Sequence, residues 1–351
     1  MSVVGAYGPW LERCLAGWPG DYSFLHPRRE AVEAWREQAR SLTLGLLALP
    51  PEQGAPAPAA EVRDSYVRED LRIDELRWSL PYGPPTEALF IRPADAHGDL
   101  PGVLGLHDHG GVKYFGKRKI CRTREPRDPF IADHQGQYYG GAAWANELAR
   151  RGFAVLVHDL FGFESRRVLA SQLPGFVVRR IMGAAEEQRE MTPEDLQGDA
   201  PVLDYDGDRP ERVRAYNAFG GAHEHIVAKA LFSAGLSWPG VCLAEDQAAL
   251  GVLCGLPGVD PARIGCCGLS GGGLRSCFLA GLDSRVRCSV TAGFMTTWKD
   301  LALTTCYTHT WMIYVPQLPR HMDFPDILGL HAPLPALVLA MRPLAQLIQV
   351  T

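Results

Sequence analysis

The chain has 351 residues, 46% of them hydrophobic and 21% charged, with a formal net charge of −5 and a pI near 6.1. That balance fits an ordinary globular enzyme with a full core, and with no basic surplus it excludes nucleic acid as the expected partner. The nine cysteines are odd in number and show no C-x-x-C spacing. Reduced thiols in a cytoplasmic setting are therefore expected, not a disulfide framework or a zinc site.

In chain order, residues 1–48 read as helical, with Val32, Trp35, Ala39, Leu42 and Leu46 recurring at three- and four-residue spacing. No signal-like apolar run opens the chain. A Pro/Ala-rich connector over 49–60 closes this extension and leads into a larger domain at 61–351. Two extended runs, 71–80 and 88–92, flank a Pro/Gly turn and predict an antiparallel pair at a sheet edge.

From residue 103 the pattern changes. Apolar strands are predicted at 103–106, 153–157, 264–267, 286–291 and 336–341, with helices at 142–151, 243–256 and 274–282. Strands apolar throughout are covered on both faces, so the expected class is α/β, a doubly wound, mostly parallel sheet. The apolar segment 327–340 is broken by His331, Pro333 and Pro335, is too short to span a membrane, and reads as a buried strand. Residues 167–238 form an insertion, acidic over 186–208, expected either to cap the strand ends or to be a solvated decoration or oligomer contact.

The most telling stretch is Gly268-Leu269-Ser270-Gly271-Gly272, between the strand at 264–267 and the helix at 274–282. In a G-x-S-x-G elbow the serine adopts a strained backbone conformation, and the glycines remove side chains that would collide across the turn. The hydroxyl is left exposed at a helix N-terminus, where open N–H groups favour a developing oxyanion. The chemistry implied is nucleophilic acyl transfer on Ser270. Upstream, the strand at 103–106 runs into His107-Asp108-His109-Gly110-Gly111, where glycine lets a backbone N–H approach a substrate oxygen.

These two motifs, with the strand ending in Asp159 and Phe161-Gly162-Phe163, resemble the α/β-hydrolase superfamily. Within it they are most similar to dienelactone-hydrolase-like and acetyl-xylan-esterase-like bacterial hydrolases, over roughly residues 62–341. The resemblance implies Ser270 as nucleophile and Gly271 with His109, Gly110 or Gly111 as the oxyanion hole. It implies a small-molecule ester or lactone as substrate and no metal or cofactor. Tyr138, Tyr139, Trp144, Phe161, Phe163 and Trp311 are candidates for a pocket wall, with core packing the alternative for each.

In that family an acid follows the strand matching 336–341 and a histidine comes later, yet residues 342–351 hold no Asp, Glu or His. A serine hydroxyl needs a base, so three readings stay open. The chain is a shortened, impaired esterase with an unpaired sheet edge; or Asp300 serves as acid with His309, His321 or His331 as base; or the protein binds without catalysis. A prolyl-oligopeptidase-like peptidase is the runner-up enzyme, disfavoured because no β-propeller repeats precede the domain.

Other signals are discarded. His107-Asp108-His109 lacks a third ligand in sequence, and His223-Glu224-His225 lacks zinc-protease spacing and reads as structural or pocket-lining. Asp204-Tyr205-Asp206-Gly207-Asp208 imitates a calcium loop, but Arg209 and Ala215 stand where glycine and glutamate belong. No nucleotide-binding motif is present.

Overall fold

The computed structural model describes residues 2–16, 20–26, 31–51, 56–183 and 210–340. The acidic stretch 186–208, with its calcium-like string, and residues 341–351 lie outside the described residues.

Among the described residues eight strands form one sheet: β1 (Glu61–Arg68), β2 (Leu71–Trp78), β3 (Thr86–Pro93), β4 (Leu100–Leu106), β5 (Ala154–His158), β6 (Val259–Leu269), β7 (Cys288–Ala292) and β8 (Ala336–Leu339). Their spatial order is β1-β2-β3-β5-β4-β6-β7-β8. The first three pairings are antiparallel, whereas β5-β4, β4-β6, β6-β7 and β7-β8 are parallel. The chain order reverses around β4, where β5 lies on one side and β6 on the other. That arrangement opens a crevice beyond the carboxyl ends of these strands, where ligands bind in open α/β sheets.

Among the described residues the helices longer than one turn are α1 (Gly8–Cys14), α2 (Val32–Leu47), α3 (Pro129–Tyr139), α4 (Trp144–Arg150), α5 (Gly175–Met182), α6 (Pro210–Ser233), α7 (Trp238–Gly255), α8 (Gly271–Leu282) and α9 (Phe324–Gly329). One sheet face packs on Trp35, Ala39 and Leu47 of α2, Leu250 and Leu253 of α7 and Phe278 and Leu279 of α8. The other packs Ile73, Leu89, Val103 and Val155 against Ala145 and Ala149 of α4. The central strands β4 and β5 are buried over most of their length because both faces are covered.

Several expectations need correction. The pair 71–80 and 88–92 is antiparallel, but β1 lies outside it and takes the edge. Its sequence EVRDSYVR carries little apolar alternation, and a register shift between Val62 and Asp64 breaks the period that would have announced it. The segment 327–340 is not one buried strand. Asp323 and Asp326 form a reciprocal capping box and start α9, so Ile327 is helical. Only residues 336–339 are extended, and Leu337 and Leu339 are 51% and 49% exposed on a strand whose described neighbour is β7. The nine cysteines are unpaired, and Cys288 is exposed at the start of β7.

Candidate functional site

β6 delivers its last residue, Leu269, to a sharp bend at Ser270, whose φ of 56° and ψ of −117° are outside the regions a serine normally occupies. Such a conformation costs roughly 1–3 kcal/mol and persists only where the surroundings over-determine it. Here the Ser270 N–H donates to the Ala292 carbonyl of β7 at 2.8 Å, and the Leu274 N–H donates to the Ser270 carbonyl at 2.9 Å. A Cβ at Gly272 would stand 2.1 Å from the Leu106 carbonyl oxygen, and one at Gly268 would stand 2.5 Å from the Gly272 backbone. The bend thus needs bare backbone at both positions, and Ser270 itself is exposed.

Opposite the bend lies the turn that follows β4. A Cβ at Gly271 would come within 2.9 Å of the His109 nitrogen, which places these two backbone positions side by side. Gly271 opens α8, so its N–H is one of those a helix leaves without a partner. No described residue accepts the His109 N–H. Gly110 and Gly111 carry the turn onward with φ of 54° and 66°.

Buried charge surrounds this turn. Lys119, 0% exposed, donates through Nζ to the Asp108 carbonyl, and to those of His109 and Val112 at 3.2 Å each. Burial pushes its ammonium down to about 8, against the pull of Asp108. The Asp108 carboxylate is 3.7 Å from that ammonium, 3.1 Å from His134 Nε2, and accepts from the Tyr139 hydroxyl. Burial alone would raise its pKa, but Lys119, His134 and Tyr139 hold it well below the usual carboxylate range.

His109 uses both ring nitrogens. Nδ1 accepts from the Gly111 N–H at 3.0 Å, which leaves Nε2–H to donate to Glu224 at 2.6 Å. Burial, then Lys113, lowers its pKa, while Glu224 raises it. Glu224, on α6, also accepts from Thr310 Oγ1 at 2.8 Å and the Trp311 N–H at 3.2 Å, and pairs with Lys113 Nζ at 2.9 Å. Desolvation opposes its ionisation, but the His109 bond and the Lys113 charge win and keep it well below the usual range. The Lys113 ammonium lies over the rings of Phe163 and Trp238, at 4.5 and 4.9 Å.

A third buried group ties the two motifs together. Arg275 of α8 pairs through two nitrogens with Asp246, at 3.0 and 2.6 Å, and donates to the His107 carbonyl at 3.2 Å.

The remaining predicted positions are scattered. Asp300 is exposed, and its carboxylate accepts from Thr304 at 3.0 Å and Thr296 at 3.4 Å. His321 pairs with Asp21 at 2.8 Å, and buried His331 bonds the Ala280 and Pro335 carbonyls. His309 Nδ1 lies 2.8 Å from the Thr305 carbonyl, which makes that nitrogen the protonated one and leaves Nε2 without a proton. None of the four is hydrogen-bonded to Ser270 among the described residues.

Of the pocket candidates, Phe161 lines a cavity of about 20 Å³ with Lys113, Tyr216, Phe219, Glu224 and Trp238. Phe163 is fully buried against the His107 and His109 rings, so it braces the turn instead of facing open space. Tyr139 bonds Asp108, Tyr138 is exposed beside His134, Trp144 packs on the core under α4, and Trp311 packs on Tyr314 and Phe232.

Sequence reasoning missed Lys113, Lys119, Arg275 and the role of Glu224. A Lys or Arg in a loop or helix carries no local signal that it is buried, even within a basic run such as Lys117-Arg118-Lys119; only the histidine-flanked Glu224 stood out in the sequence. Among the described residues no cluster of three or more His, Cys, Asp or Glu is arranged to hold a metal ion, and no single helix is long and apolar enough to cross a membrane.

The strand order, the elbow after β6 and the facing turn after β4 together define an α/β-hydrolase fold. No family model matches the chain. It is 24% identical over 273 residues, 78% of this chain and 70% of the relative, to a Bacillus subtilis (strain 168) protein named "Putative hydrolase YtaP". Among solved structures it is similar to a "putative acetyl xylan esterase" from Bacteroides fragilis NCTC 9343, with a TM-score of 0.65, 16% identity, and coverage of 94% of this chain and 73% of that one. It is also similar to methylesterase BT1017, with a TM-score of 0.52, 16% identity, and coverage of 95% of this chain and 55% of that one. A glucuronoyl esterase from Solibacter usitatus gives 0.50 and 14%, over 88% of this chain and 74% of that one.

Proposed function

We propose that the protein hydrolyses carboxylic esters through an acyl-enzyme on Ser270. The observation that carries this reading is the exposed Ser270 at positive φ, beside two backbone N–H groups, those of His109 and Gly271, that no described residue accepts. In this reading Ser270 Oγ attacks the ester carbonyl and its proton passes to a base. The carbonyl oxygen takes negative charge facing the two N–H groups, and the alcohol leaves with that proton. Water then cleaves the acyl-enzyme and regenerates the hydroxyl.

Among the fallback positions His309 suits the base best, because its Nδ1–H is fixed by a carbonyl and its Nε2 has no partner among the described residues. The neighbours named as acetyl xylan esterase, methylesterase and glucuronoyl esterase support an ester of a small acyl group or a sugar acid as substrate. The insertion would act as a cap, since α6 brings Glu224 onto the turn. Nine unpaired thiols, four of them buried, support a reducing, cytoplasmic setting.

Turnover of p-nitrophenyl acetate by the intact chain and by Ser270→Ala tests the proposal. Loss of at least about a thousandfold in kcat in the variant is expected. Equal rates remove Ser270 from the mechanism, and an original chain with no turnover at all leaves the non-catalytic binder as the reading.

A further inference from the structure

We infer that Lys119 is a positioning residue that aims the His109 N–H into the oxyanion hole; the inference rests on the ester-hydrolase reading above.

The peptide between Asp108 and His109 lies in the turn that follows β4. It is trans, so its C=O and N–H point in opposite directions. Lys119 Nζ holds that C=O from behind, and His107 Nδ1 lies 3.0 Å from the same oxygen. With the oxygen fixed on that side, the N–H can only point the other way, and the His109 nitrogen lies alongside Gly271. The same ammonium takes the His109 and Val112 carbonyls at 3.2 Å, so one side chain turns three carbonyls of the bend inward.

Lys119 is itself fixed. Its N–H donates to the Gly116 carbonyl at 3.1 Å and its C=O accepts from Gln135 Nε2 at 3.0 Å. The neighbouring Lys117 anchors the loop to Asp159 at 2.7 Å and Glu164 at 3.0 Å.

A buried ammonium is a costly way to hold a turn that neutral groups could hold. What a cation adds is polarisation: drawing electron density toward the Asp108 oxygen makes the N–H at the other end of that amide a stronger donor. A donor strengthened and pre-aimed in this way matters most when the substrate oxygen becomes an anion, which is a transition-state effect.

The test compares Lys119→Met and Lys119→Arg with the intact chain, reading kcat and KM on p-nitrophenyl acetate, the melting temperature and a crystal structure. Removing one oxyanion donor typically lowers kcat by about 10²–10³-fold. Lys119→Met should therefore lower kcat by about 10–100-fold with KM changed less than about threefold. In its crystal structure the Asp108–His109 peptide should be rotated away from Gly271. Lys119→Arg keeps the charge but cannot converge on three carbonyls, so its kcat should fall between the two, and it decides the matter if Lys119→Met does not fold.

A folded Lys119→Met with unchanged kcat or an unrotated peptide, or a Lys119→Arg with kcat equal to that of the intact chain, overturns the inference while leaving Ser270 in place. Full activity in Ser270→Ala would instead remove the underlying reading. A lower melting temperature with kcat unchanged would mean that Lys119 merely supports the fold.

Discussion

The two halves of the candidate site are held in different ways. On one side, the turn after β4 and the elbow after β6 are fixed by groups 11 to 168 residues away in the chain: Lys119, His134 and Tyr139 on Asp108, Glu224 on His109, Arg275 on the His107 carbonyl. In the segment between β7 and β8, Asp300 and His309 are held by nearby threonines, Thr296 and Thr304 for the first, Thr305 and Thr308 for the second. His321 is tied to Asp21 of the N-terminal extension. The first half is over-determined by tertiary contacts, which is what a strained backbone needs in order to persist. The second half is built from short π and 3₁₀ turns with local partners, so its side chains can change without disturbing the sheet.

The largest effect that would break this contrast is a single methyl group in the elbow. Gly272→Ala puts a Cβ 2.1 Å from a backbone oxygen of β4, with no flexible side chain able to yield. We expect at least ~3 kcal/mol of destabilisation, or no folded protein, read by denaturant unfolding. Gly111→Ala is the control: its φ is 66° but a Cβ there meets nothing within 4 Å, so only the backbone cost of about 1 kcal/mol applies. Similar losses in the two variants would show that the elbow is not tightly packed.

In the other half the expected loss is in rate, not in folding. His309→Asn should lower kcat/KM by at least about tenfold, as expected for removal of a proton-transfer group. Asp300→Asn and His321→Asn should each change it by less than about twofold, because those side chains are engaged away from Ser270. Three equal values would place the base elsewhere.

What was legible in the sequence follows the same division. The elbow could be read because glycine spacing around a serine reports a backbone constraint directly, and the central strands β4 and β5 because burial on both faces leaves unbroken apolar runs. β1 escaped because an edge strand with a register shift has only a weak apolar period, and 327–340 was misread because a capping box of two aspartates outweighed its apolar composition. Lys119 and Arg275 could not be read at all. Each is a charged residue whose burial depends on carboxylates and carbonyls many residues away, which no local pattern encodes. Glu224 was visible only as the middle of His-Glu-His, where zinc spacing was the wrong question and a partner for His109 the right one.

The smallest predicted effect tests whether Glu224 links the two halves, since it bonds His109 on one side and Thr310 and Trp311 on the other. Its pKa in the folded protein is depressed by His109 and Lys113 despite burial. A depressed carboxylate contributes stability that is present above the ordinary value of about 4.3 and lost as pH falls through the folded value. His109, kept neutral chiefly by burial, acts in the same direction below its ordinary 6.5, because the unfolded chain takes up that proton more readily. The melting temperature should therefore drop on acidification from neutral pH. Glu224→Gln leaves the Lys113 ammonium buried without its counter-charge, which should lower the melting temperature at pH 7 by on the order of a few degrees. The variant lacks the carboxylate that titrates, so its melting temperature should depend less on pH and the two curves should draw together as pH falls below about 4.3. Parallel curves would mean that the Glu224 charge contributes nothing to the folded state, and the link between the halves would then rest on its hydrogen bonds alone.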